Sequence, residues 1–244
     1  MSTSPTFTLR PSAERGRADH GWLQARFSFS FGDYYDPRHM SYRSLRVINQ
    51  DRIQPGGGFG MHPHAEMEIF TYLVRGELRH EDSMGNARTL RAGEFQYMSA
   101  GSGVRHSEVN PCDTETELLQ IWITPNQQGG APKYAELDTT ALPGGSEHSG
   151  LTLFASADGR DGSVQMRQDA EISIGRANAD GPSEQPLSVP SSAYEGAWLQ
   201  LISGQLTVEN HDLQPGDGLR VDHAAEGFPL TASPDALFLL FRLA

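Results

Sequence analysis

Apolar and polar residues alternate with a period near two along much of this chain, and no stretch of the first half shows a persuasive helical period. In Trp22-Leu-Gln-Ala-Arg-Phe-Ser-Phe-Ser-Phe31, Phe27, Phe29 and Phe31 fall on one side and Ser28 and Ser30 on the other. That pattern predicts a half-buried strand. Further strands are predicted at Phe7–Arg10, Leu45–Asn49, Ile69–Val74, Glu77–Glu81, Phe95–Met98 and Leu118–Thr124. The second half resumes with Leu151–Phe154, Ala170–Ile174, Ala197–Ile202, Leu206–Val208 and the apolar run Ala236–Leu243. Ser83-Met-Gly-Asn86 and Ala92-Gly93-Glu94 read as tight turns. From Pro125 to Gly150 the chain is loop-like, with Asn126-Gln-Gln-Gly-Gly130 and Pro143-Gly-Gly-Ser146. A connection that long is unusual inside one compact domain, so the expected domains are 1–133 and 134–244.

A repeat supports two similar halves. Leu73-Val-Arg-Gly76-Glu-Leu78 matches Leu201-Ile-Ser-Gly204-Gln-Leu206. Leu90-Arg-Ala-Gly93-Glu94 matches Leu213-Gln-Pro-Gly216-Asp217. Duplication of one β-barrel unit follows as an expectation.

The chemistry concentrates between Gly56 and Glu108. Gly-Gly-Gly-Phe-Gly-Met-His-Pro-His opens this stretch and Gly-Ser-Gly-Val-Arg-His-Ser-Glu closes it. Residues i and i+2 of a strand share a face, so His62 and His64 project together, as do His106 and Glu108. Two such strands side by side converge three imidazoles and a carboxylate, a donor set for a divalent transition metal. In the repeat register, Pro190 and Ser192 stand where His62 and His64 would be, and Pro229 and Thr231 where His106 and Glu108 would be. The second half is therefore expected to carry no metal.

Other polar residues carry weaker signals. His80, His148, His211 and His223 are isolated and expected at the solvent surface, and Glu81-Asp82 is expected to solvate a turn. Phe59, Met61, Phe70 and Met98 either line a pocket above the metal or fill the barrel. Cys112, near the second histidine pair, reads as a small semi-buried residue.

Charge and cysteine content narrow the class. Asp plus Glu number 31 against 19 Lys plus Arg, a net charge of -12. This argues against nucleic-acid and anionic-membrane surfaces. The single cysteine excludes an intramolecular disulfide and is compatible with a reducing cytoplasm. No apolar run approaches the ~18 residues of a membrane helix, and the start lacks an apolar signal region. A soluble, cytoplasmic monomer is expected.

The pattern Gly-x5-His-x-His-x3-Glu-x7-Gly over Gly56–Gly76 resembles the first cupin motif, with Glu-to-Gly spacing one residue longer than usual. Gly101-x-Gly103-x2-His106-x3-Asn110 resembles the second, with Gly101 where proline is usual. The segments His20-Gly-Trp22, Tyr34-Tyr-Asp-Pro37, Phe59 to Glu81, Met98 through Pro111 and Gln120-Ile-Trp122 resemble the pirin family, particularly its quercetin 2,3-dioxygenase-like bacterial members. The likeness covers the N-terminal half nearly continuously and the C-terminal half thinly.

The resemblance implies an all-β bicupin, two tandem cupin barrels of double-stranded β-helix type, with one metal in the first. It implies His62, His64, His106 and Glu108 as ligands. Many other cupins use the first-motif carboxylate, so Glu68, and less so Glu66, stay open as rivals. By analogy with non-haem oxygenases Fe(II) is the preferred ion, with Cu, Ni, Mn, Co or Zn able to bind the same set. The implied activity is opening of the central ring of a flavonol by O2 with release of carbon monoxide, with Glu108 as general base. The alternative is a pirin-type regulatory module that docks a partner protein.

Overall fold

The computed structural model describes residues 4–139 and 150–244. The 143–146 loop and His148 lie outside the described residues. Among the described residues the chain is all-β apart from the short 3-10 turns Ser12–Glu14, Arg160–Gly162 and Ala224–Glu226. It divides into two compact units. Gly16–Thr140 with Met166–Gln168 form the first, and Met1–Arg15, Ala141–Gln165 and Asp169–Ala244 form the second.

In the first unit a seven-stranded sheet runs Lys133–Asp138, Glu94–Ser99, Glu68–Arg75, Thr116–Ile123, Leu45–Ile53, Leu23–Phe27, Gly16–Asp19. A four-stranded sheet runs Gly58–His64, Val104–Val109, Glu77–Asp82, Ala87–Arg91. Leu78 and Leu90 of the small sheet join Phe27, Ile53, Leu73 and Leu118 of the large one in a single apolar cluster. The two sheets thus bury their inner faces against each other.

The second unit repeats this plan. Its large sheet runs Thr6–Arg10, Gly218–Asp222, Gly196–Ser203, Leu237–Leu243, Ala170–Arg176, Leu151–Ser156, Val164–Gln165. Its small sheet runs Gln185–Val189, Phe228–Ala232, Leu206–Val208, His211–Leu213. The repeat glycines do the same job in both halves: Gly76 and Gly204 turn at φ +81° and +72°, a region that favours glycine.

The structure departs from several expectations. The alternation at Trp22–Phe31 ends as a strand at Phe27, and Ser28 and Ser30 are buried, not turned to water. There the Ser30 amide donates to His39 O and its hydroxyl to Asp36 O, bonds that replace a ladder. The division also falls differently from 133/134. Lys133–Asp138 pairs with Glu94–Ser99 in the first unit, while Thr6–Arg10 pairs with Gly218–Asp222 in the second. Phe7 and Leu9 pack on the second unit's apolar cluster, and Asp217 Oδ1 accepts the Ser12 amide at 2.6 Å. Deleting residues 1–15 is therefore expected to lower the melting temperature by several degrees, at ~2–4 °C per kcal/mol lost. Calorimetry should show that loss with metal content retained.

The register of the repeat is corrected by one residue. Leu206, the counterpart of Leu78, pairs with Ala232, and Phe228 pairs with Val189. The inward positions are then Phe228, Leu230 and Val189, all buried in the apolar cluster, whereas Pro229 is exposed. A one-residue slip exchanges the faces of a strand, so Pro229 and Thr231 were assigned to the wrong face. The substitution of ligands by non-ligands is the same in either register.

Candidate metal centre

Two neighbouring strands of the small sheet supply the histidines. His106 lies directly opposite His62, and Val104 opposite His64. The ladder then shifts, so that Glu108 faces Phe59. Such a bulge re-aims side chains and is common beside active sites. The strands approach so closely at its far side that a Cβ on Gly58 would stand 2.3 Å from Glu108 O. This is the physical need for glycine there.

The three rings converge. Centroids are 4.8 Å apart for His62–His64, 4.5 Å for His62–His106 and 4.9 Å for His64–His106. One nitrogen from each lies within 4.8 Å of the others, a group able to hold a metal ion. The free atoms fit. His62 Nδ1 is 2.8 Å from Gly60 O, which places its proton there and leaves Nε2 with a lone pair. His106 Nε2 is buried with no hydrogen-bond partner. An orphaned buried acceptor is costly unless something fills the site.

Behind His106 stands a relay that the sequence did not reveal. His106 Nδ1 is 3.4 Å from His80 Nδ1, and His80 Nε2 is 3.3 Å from Asp82 Oδ2. With Asp82 accepting from His80 Nε2–H and His80 accepting from His106 Nδ1–H, His106 Nε2 keeps its lone pair. His80 is thus fully buried, contrary to the solvent position expected for it. Asp82 is also buried and accepts the Met84 and Asn86 amides, closing the 83–86 turn from inside. His223 is half exposed as expected, and His211 is partly buried beside Phe7.

Glu108 is buried and held by neutral donors. Thr71 Oγ1 and Gln96 Nε2 donate to its Oε1 at 3.1 and 3.3 Å, and Gln120 Nε2 to its Oε2 at 2.9 Å. Glu108 groups with His106 and His80 as a second potential ligand set sharing His106. The rival carboxylates are placed elsewhere. Glu68 begins the next strand, where Tyr97 and Ser99 hydroxyls and the Arg167 amide donate to it. Glu66 turns at φ +53° and accepts the Gly129 amide. The break at residues 65–67 removes the parity that would have aligned 62, 64, 66 and 68.

Both inner imidazoles are kept neutral. Burial, then the neighbouring His106 and His62, push His64 from 6.5 down to about 4. Burial, then His62 and His80, push His106 down to about 3. Neutral imidazole is the form that ligates. Because both folded values lie below the unfolded 6.5, the unfolded chain binds more protons below that pH. Metal-free protein should therefore hold its stability above about 6.5 and lose it as pH falls towards about 4 and then 3. A melting temperature that stays flat across that window contradicts this assignment.

A cavity of about 630 Å³ opens beside the cluster. Its walls include Trp22, Phe27, Phe31, Tyr34 and Phe59. The Phe59 ring is 6.2 Å from His62, and Phe31 packs edge-on at 5.4 Å to Trp122, itself 5.0 Å from His64. Of the four residues considered for a pocket, only Phe59 lines this cavity. Met61 is exposed, while Phe70 and Met98 are buried. Cys112 is a free, partly buried thiol.

The pirin family model matches residues 8–123, and a quercetinase C-terminal cupin domain model matches residues 153–243. A quercetin 2,3-dioxygenase of Escherichia coli K12 is 42% identical over 96% of this chain and 97% of its own. The chain belongs to the pirin family. A pirin-like protein of Caulobacter vibrioides is 37% identical over 95% of this chain and 97% of its own. The structure of the bacterial pirin YhhW from E. coli in complex with nickel(II) superposes with a TM-score of 0.88 at 40% identity. It covers 98% of this chain and 99% of that one. The two units are accordingly pirin's two cupin domains, and the histidine cluster lies in the N-terminal one. Among the described residues no helix is long and apolar enough to cross a membrane.

Proposed function

We propose that this pirin is a metal-dependent dioxygenase that opens the central ring of flavonols such as quercetin with O2 and releases carbon monoxide. The observation that carries the proposal is one juxtaposition inside the first barrel. Three histidines and a buried carboxylate gather there, and Phe59, 6.2 Å from His62, is also a wall of the aromatic cavity of about 630 Å³. A cavity of that size suits a small planar ligand. Relatives named quercetin 2,3-dioxygenase support the substrate class.

In this proposal His62, His64 and His106 hold the ion and Glu108 completes the set. When bound, a divalent transition ion supplies Lewis acidity that lowers the pKa of the flavonol 3-hydroxyl and orients the reactants. Fe(II) is the proposed ion, since histidines with one carboxylate and open positions suit non-haem iron. Cu, Ni, Mn, Co and Zn accept the same donors, and the nickel complex of YhhW is one instance.

The chain's own residues do the rest. Glu108 takes the 3-hydroxyl proton as general base. Thr71, Gln96 and Gln120 fix both of its oxygens, so the base is aimed before substrate arrives. Phe27, Phe31, Tyr34 and Phe59 offer faces and edges to an aromatic substrate and exclude water from the deprotonated form. The test is turnover of quercetin by metal-reconstituted protein, followed by ring opening and carbon monoxide together. The other reading, a regulatory module, is left standing if neither is seen.

A further inference from the structure

Four polar residues form a row across the large sheet of the first unit. Gln96 is paired with Thr71, Thr71 with Gln120 and Gln120 with Asn49, so their side chains share one face. Asn49 is paired in turn with Phe27 of the cavity wall. The first three members converge on Glu108. The fourth does not. Asn49 is 3% exposed, its Oδ1 has no hydrogen-bond partner, and it lines the aromatic cavity.

A buried amide oxygen left unpaired costs free energy comparable to a lost hydrogen bond, so its retention calls for a partner that arrives. That partner must be a donor, must fit between Phe27, Phe31 and Phe59, and must lie one sheet position from the residue that holds Glu108. An aromatic hydroxyl meets all three conditions. We infer that Asn49 accepts a hydrogen bond from a phenolic hydroxyl of the substrate other than the 3-hydroxyl, and so selects hydroxylated flavonols over unadorned ones. This rests on the flavonol reading above. The selectivity is physical: a ligand lacking the hydroxyl leaves Oδ1 desolvated and unpaired, whereas one bearing it restores the bond.

The test is an anaerobic titration of nickel-loaded protein, read by tryptophan fluorescence, because Trp22 lines the same cavity. Quercetin is compared with 3-hydroxyflavone, which has no other hydroxyl. Wild type should prefer quercetin. Asn49→Leu should weaken quercetin about tenfold and leave 3-hydroxyflavone within about twofold, the loss expected for one hydrogen bond. Should Asn49→Leu fail to fold or to load nickel, Asn49→Ala is used in its place with the same expectation. Equal weakening of both ligands, or no weakening of quercetin, overturns the inference. If wild type binds neither flavonol, the substrate reading itself fails and takes this inference with it.

Discussion

Glu108→Gln is expected to lower quercetin turnover by ~10²–10⁴-fold, the range for a lost acid–base group. The substitution keeps the side chain's size and removes its charge and basicity. Its surroundings make the loss hard to repair. Glu108 accepts from Thr71, Gln96 and Gln120, and two of these are amide donors that an amide at 108 cannot satisfy on both sides. The new NH2 faces a donor, so the group is misaimed as well as neutral. Turnover at saturating quercetin, with metal content measured on the same samples, checks this. Undiminished turnover at full metal content removes Glu108 from the chemistry.

His106→Ala is expected to reduce bound metal to near background. His106 is the histidine shared by both candidate ligand groups, and its Nε2 is the orphaned atom aimed into the site. Its loss also removes one of the two side chains within hydrogen-bond reach of the His80 ring, the other being Asp82. Glu68→Gln is the informative control, because Glu68 is engaged by Tyr97, Ser99 and Arg167. That variant should keep its metal. Elemental analysis of both settles the ligand choice: a full complement in His106→Ala, or an empty Glu68→Gln, contradicts the assignment.

The histidine pairs were legible in the sequence because a strand has one simple rule, and i with i+2 needs no knowledge of tertiary structure. What escaped was set by pairing between distant strands. His80 and Asp82 obey the same i, i+2 rule, yet nothing local says that their strand lies beside His106. Pro229 and Thr231 were named for positions that Phe228 and Leu230 occupy, since counting from Gly216 cannot see a missing residue in an intervening loop. The strand Thr6–Arg10 was visible, but its partner Gly218–Asp222 was not. One signal was present and unused. Thr71 and Gln120 are single polar residues inside the apolar runs Ile69–Val74 and Leu118–Ile123, and with Gln96 they form the bed of Glu108. A lone polar residue facing inward needs a partner, which is a reason to suspect a site.

The proposed activity is flavonol ring opening at His62, His64, His106 and Glu108. The most direct measurement follows quercetin absorbance and carbon monoxide together, in protein reconstituted separately with Fe(II), Cu(II), Ni(II), Mn(II), Co(II) and Zn(II). Wild type with at least one ion should consume quercetin and release carbon monoxide in equal amounts, and Glu108→Gln should do both ~10²–10⁴-fold more slowly. Absence of both signals from wild type with every ion, or equal absorbance loss in the two proteins, contradicts it.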